Sequence, residues 1–300
     1  MNPSVASQRS WIRSWWHDAN SPTNRKVEHA DFRVTAAPYP LFIEAGEHRL
    51  FALYHEADGE ARGTVLLLPP FAEEMNMSRR MTYLTGRGLS AHGYSCIALD
   101  LAGTGESTGA FADARWEIWQ ENVRAAEAYL NEKTGHKPIL LGLRAGALLA
   151  ASMLENRSLI LWQPVGNGET MLNQFLRIRL AASLTGGGEK ETTKDLRALW
   201  QAGDCVEVAG YKIHPVLAAT IDTLRLAEMA PAPGAKTIWI ETGDAERGPT
   251  PGSQRIIDAW TECGVDVDVR ICPGDPYWTI QETTTAPALI DHTLETLGQL

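Results

Sequence analysis

Between Pro138 and Ala150 the chain reads Pro-Ile-Leu-Leu-Gly142-Leu-Arg144-Ala-Gly146-Ala-Leu-Leu-Ala. A short apolar run of strand character hands over, within one turn, to a small-residue run of helical character. Glycines two positions to either side of one side chain let the backbone turn sharply and let strand and helix approach closely. Such a turn displays its central residue at the top of a sheet. Here that residue is arginine, which stays protonated and offers a planar fork of donors, so it is suited to holding an anion and cannot attack a carbonyl.

The surrounding pattern is strand and helix in alternation. Leu41–Ala45, Arg49–His55 and the continuous apolar run Thr64–Leu68 read as strands, the last of them buried on both faces. A helix over about 78–92, the strand Ser95–Asp100, a helix over about 114–134, the turn at Arg144, a helix through about Glu155 and the strand Ser158–Trp162 follow. This rhythm implies a parallel sheet with right-handed crossovers. It breaks between Pro164 and Gly234 into helices near 170–184, 194–202 and 214–229 with a Gly186-Gly-Gly188 turn. It resumes with Lys236–Glu241, a helix near 252–263, Val265–Ile271 and a closing helix near 286–298. The expected organisation is an N-terminal arm (1–37), a core in two parts (38–163 and 235–300) and an inserted helical cap (164–234). Trp11 and Trp15, four residues apart, would share one face of a short helix in that arm.

At 300 residues, one α/β domain with an insertion is the economical expectation. A net charge of −10 argues against a nucleic-acid binder. The four cysteines, Cys96, Cys205, Cys263 and Cys272, form neither a zinc framework nor a disulfide pattern. No metal or other cofactor is expected. With no signal-like segment and no apolar run of roughly eighteen residues, the chain reads as a cytoplasmic protein of a reducing compartment.

Three segments, the strand-then-turn at 64–74, Asp100-Leu-Ala-Gly-Thr-Gly105-Glu-Ser107 and Gly142-Leu-Arg-Ala-Gly146, resemble the α/β hydrolases. The last stands at their nucleophile elbow. More particularly, Pro69-Pro-Phe-Ala-Glu-Glu-Met-Asn76, Ser78-Arg-Arg-Met81, Ala114-Arg-Trp-Glu117, Leu161-Trp-Gln-Pro164, Gln174-Phe-Leu-Arg177 and Val208-Ala-Gly-Tyr211 resemble the exosortase A system-associated hydrolases of the second type. Those proteins accompany a PEP-CTERM export and exopolysaccharide system. The resemblance covers about 41–298 and implies an α/β-hydrolase fold: a mostly parallel, doubly wound sheet with a short helical cap.

The family's triad is not reproduced. Arg144 replaces the nucleophile, Glu241 or Asp244 stands where the acid would be, and Cys272-Pro-Gly-Asp-Pro-Tyr-Trp278 holds no histidine where the base belongs. The N–H groups of Phe71 and Ala145 remain available to cradle an oxygen.

Three uses of the remaining groups stay open. Glu73 or Glu74 can neutralise Arg144 as an ion pair. Arg144 can grip the carboxylate or phosphate of a small anionic or acyl ligand, with Phe71, Ala145, Asp244, Asp275, Tyr277 and Trp278 around it. Or Glu73 or Glu74 can activate water while Arg144 stabilises the developing oxyanion. Ser78 and Ser107 are weaker nucleophile candidates, neither being on an elbow nor beside a histidine. On the cap, Phe175, Leu176, Ile178 and Leu180 read as an apolar stripe facing a ligand or a protein partner of the export system.

Overall fold

The computed structural model describes residues 36–153, 157–186, 191–280 and 284–300. The N-terminal arm with its tryptophans, Gly187 and Gly188 lie outside them, as does the end of the helix expected to reach Glu155.

Strands β1 (Tyr39–Ala45), β2 (His48–His55), β3 (Gly63–Leu68), β4 (Tyr94–Leu99), β5 (Ile139–Leu143), β6 (Leu159–Trp162), β9 (Lys236–Thr242) and β10 (Asp266–Cys272) form one sheet in the order β1-β2-β4-β3-β5-β6-β9-β10. The pairings β1–β2 and β2–β4 are antiparallel and the rest are parallel. The apolar runs read as doubly buried strands are so: every residue from Thr64 to Leu68 and from Leu159 to Trp162 is buried.

Helices α1 (Glu73–Ala91) and α2 (Trp116–Thr134) cover opposite faces of the sheet. Along β4 the Cys96 thiol turns to the Gly86 carbonyl of α1, while Ile97 and Leu99 join Val123, Ala126 and Leu130 of α2 in the main apolar cluster. Helix α3 (Ala145–Ser152) packs on β5 and β6, and α8 (Pro287–Leu297) packs beside α1 on β9. Helix α1 begins five residues before the expected start, because Ala72 takes the backbone to φ 51°, ψ −119° and opens the helix directly behind the strand.

Between β6 and β9 lie α4 (Gly168–Gly186), α5 (Thr193–Ala202), α6 (Pro215–Thr223) and a hairpin, β7 (Val206–Val208) with β8 (Tyr211–Ile213). The hairpin departs from the all-helical expectation. Its two-residue turn puts Ala209 at φ 50° and Gly210 at φ 85°, the left-handed pair that joins twisted strands. The helix expected over 214–229 stops at Thr223, where the chain extends into a bridge between Asn167 and Arg225 and then a short 3-10 turn, Leu226–Glu228. The stripe on α4 is also corrected. Phe175 and Leu176 are buried and Leu180 packs partly buried against the core, but Ile178 is 41% exposed, since two residues on from Leu176 it stands about 160° round the helix from it. Helix α7 (Pro251–Glu262) completes the set on β10.

Candidate functional site

Parallel strands bring their carboxyl ends to one edge, and β3 and β5 are neighbours in register, Leu68 opposite Gly142. The segments leaving them, 69–74 and 144–145, are therefore adjacent. Arg144 takes φ 56° and ψ −115°, a conformation costing an L-residue about 1–3 kcal/mol unless its surroundings hold it. They do so from both sides. Its N–H donates to Trp162 O at 2.9 Å and its carbonyl accepts from Val165 N at 3.2 Å. The glycines answer to packing: a Cβ at Gly146 would stand 2.4 Å from Leu68 O, and one at Gly142 would stand 2.4 Å from Gly146 O.

The guanidinium meets Glu74. Nε at 3.2 Å and Nη2 at 3.1 Å both donate to the same oxygen, Oε1. The other oxygen, Oε2, is buried and meets no donor among the described residues. The two side chains are 18% and 23% exposed, and the guanidinium lies 5.5 Å over the Trp278 ring. Burial pushes the Glu74 carboxyl above its ordinary range, more than Arg144 pulls it down. Glu73 is directed elsewhere, its charge bearing on Tyr211 of β8.

Tyr277 and Trp278 occupy the loop after β10 and are 1% and 5% exposed, packed edge to face with ring centroids 5.0 Å apart. The Tyr277 hydroxyl is buried without a partner among the described residues. Burial drives its pKa well up, with the Cys272 thiol and the Glu74 carboxylate adding to the effect and Arg144 opposing it. A void of about 30 Å³ is lined by Tyr277, Leu143, Pro69, Pro70 and Met75 among others. A second, of about 20 Å³, lies between Phe71, Ala145, Gly146 and the Trp116 and Trp119 rings. Each has room for about one water.

The other candidates are not brought to Arg144 by any bond. Asp244 is exposed and pairs with Arg247 at 3.4 Å, and exposed Asp275 offers its carbonyl to Tyr277 N at 2.8 Å. Glu241 is buried and accepts from Trp239 Nε1 at 2.7 Å. Ser78 Oγ donates to Glu74 O at 2.7 Å, and Ser107 Oγ donates to Asp100 O at 2.6 Å while accepting from Phe51 N at 2.8 Å. Both hydroxyls are tied to backbone. Of the histidines, His214 caps α6, His292 faces Glu295, and His55 is sealed between Gly86 and Tyr83. Among the described residues no three His, Cys, Asp or Glu side chains gather to hold a metal ion.

Two supporting groups are not evident from the sequence. Arg79 binds both oxygens of buried Asp100, at 2.6 and 2.9 Å, and Asp100 also accepts from Glu106 N. This clamps the Asp100–Ser107 turn. Gly105 is required there, because a Cβ would fall 1.9 Å from Asp100 Oδ2. Gln163, at φ 43°, ties the end of β6 to β9, its N–H donating to Ile240 O and its Oε1 accepting from Thr242 N at 2.9 Å. The signals are present in Ser78-Arg-Arg-Met81 and Leu161-Trp-Gln-Pro164, but a motif does not state its partner.

Sheet order, the elbow and the helices on both faces define the α/β-hydrolase fold, and comparison with solved structures agrees. Est1E from Butyrivibrio proteoclasticus, solved with ferulic acid bound, superposes with a TM-score of 0.62 at 16% identity, covering 86% of this chain and 99% of that one. The α/β hydrolase GrgF from Penicillium sp. sh18 gives 0.61 at 14% identity (88% and 99%). A thermostable carboxyl esterase from Bacillus coagulans, in complex with glycerol, gives 0.60 at 14% (88% and 99%). No protein-family model matches the chain, and no curated protein matches it in sequence. Among the described residues no helix is long and apolar enough to cross a membrane.

Proposed function

We propose that this is a hydrolase-fold protein without serine-hydrolase chemistry, which works by contact with a ligand or partner in an exosortase A and PEP-CTERM export setting. The observation that carries this reading is the elbow itself: its strained backbone is kept, yet it displays an arginine already paired with Glu74. The elbow position carries no side chain that could be acylated, and the 272–278 loop no histidine to pass a proton. The setting rests on the sequence resemblance, a cytoplasmic location on the cysteine usage, and the role of residues 164–234 as a cap over the site on the break in the strand–helix rhythm.

The paired centre favours a scaffold over a turnover enzyme. A panel of esters, thioesters and amides, with fluorophosphonate labelling, tests this. Wild type, Arg144→Ala and Arg144→Ser are all expected to show neither turnover nor label, the serine variant because the 272–278 loop holds no histidine to activate it. Labelling of the wild-type chain would overturn the reading. A second reading, ligand binding at Arg144, is favoured by the unpartnered Glu74 oxygen.

A further inference from the structure

An arginine and a carboxylate that meet by design usually do so with two nitrogens on two oxygens. Here both nitrogens converge on Oε1, while Oε2 is buried and meets no donor among the described residues. A buried acceptor without a donor keeps the full cost of its desolvation. The Tyr277 hydroxyl, 1% exposed, is a buried donor without an acceptor in the same centre, close enough for the charges of Arg144 and Glu74 both to act on it. The N–H groups of Phe71 and Ala145 have no acceptor among the described residues either. The centre thus leaves unmatched a carboxylate oxygen on one side and donors suited to a second carboxylate on the other.

We propose that Arg144 is a receptor for the carboxylate of a small organic acid, and that Glu74 is its internal stand-in, displaced when such a ligand binds. This rests on the reading that the elbow is not acylated. The class follows from the occupant: the site already houses a planar carboxylate on the Arg144 guanidinium, which itself lies over the Trp278 ring. A tethered carboxylate competes as an intramolecular ligand, so the wild-type chain holds its own inhibitor.

Propionate, which matches the Glu74 side chain from Cβ outward, is the probe. Glu74→Ala should gain about 2–4 °C in Tm with saturating propionate, and the wild type should need at least about tenfold more propionate for the same shift. Propionamide and chloride at matched ionic strength should do nothing, and Glu74→Ala/Arg144→Gln should not respond. Should Glu74→Ala not fold, Glu74→Val, which likewise leaves the guanidinium without an acceptor, replaces it with ¹³C-propionate, the expected result being saturable line broadening that Arg144→Gln abolishes. No propionate response in the foldable single variant, or an equal response without Arg144, overturns the proposal. Fluorophosphonate labelling would instead overturn the reading beneath it, whatever propionate does.

Discussion

Arg79 and Asp100 meet through two parallel bonds, and a backbone N–H from Glu106 completes the shell of the carboxylate. Arg144 and Glu74 share a single oxygen and leave its twin without a donor among the described residues. Both pairs draw one member from helix α1, and both fasten it to a turn at the carboxyl edge of the sheet. A pair in which both carboxylate oxygens accept is a structural clamp. On the proposal made above, one that leaves a buried oxygen without a donor serves a ligand rather than the fold, for which a well-packed apolar substitute would do as well or better.

The largest expected effect lies on the clamp. Asp100→Ala removes the acceptor for Arg79 and for the Glu106 N–H, and should cost about 3 kcal/mol in urea unfolding. A loss below that of any Glu74 substitution would break the comparison.

The acid behaviour of the weaker pair is superimposed on that of His55, whose ring is buried without a hydrogen-bond partner among the described residues and whose pKa falls to about 3 from 6.5 because burial disfavours the cation. The unfolded chain takes up that proton first, so stability is lost as pH falls below 6.5 and the loss levels off near 3. At about pH 5 it amounts to roughly 2 kcal/mol. His55→Leu should flatten the acid limb by that amount, as followed by denaturant melts across pH.

Glu74→Gln should cost only about 1 kcal/mol near neutrality, since Arg144 reaches solvent and an amide oxygen can still accept its bonds. The pH sign is fixed by the raised carboxyl. Its contribution is present below the ordinary carboxylate pKa and is lost as pH rises through the higher folded value. In the His55→Leu background, the stability advantage of Glu74 over the Glu74→Gln variant should be largest near about pH 4 and shrink toward about pH 8.

The smallest effect belongs to the backbone. Ala72 repeats the Arg144 conformation, φ 51° and ψ −119° against φ 56° and ψ −115°. Ala72→Gly relieves that strain but adds chain entropy, so a change within about 1 kcal/mol is expected in the same melts.

The sheet was legible because its central strands are continuous apolar runs, and the elbow because two glycines in that spacing admit few alternatives. Which of Glu73 and Glu74 reaches Arg144 was not legible. Adjacent helical residues point about 100° apart, and the phase of α1 depends on a start set by the backbone at Ala72, which no side-chain pattern announces. The hairpin of 206–213 escapes a reading by pattern because three-residue strands carry too few alternations to register. Arg79 and Asp100 lie 21 residues apart across a helix and a strand, so their meeting is a property of the fold. Asp244 and Asp275 stand at the right strand ends, yet their loops turn them to solvent.

Within one short stretch of chain, helix α1 holds Glu74 against Arg144, Asn76 Nδ2 against the Tyr211 hydroxyl at 2.9 Å, and Arg79 against Asp100. These three attachments, spaced over six residues, pin the phase of the first turns of the helix, and they fasten the inserted hairpin to the same turn that carries Glu74.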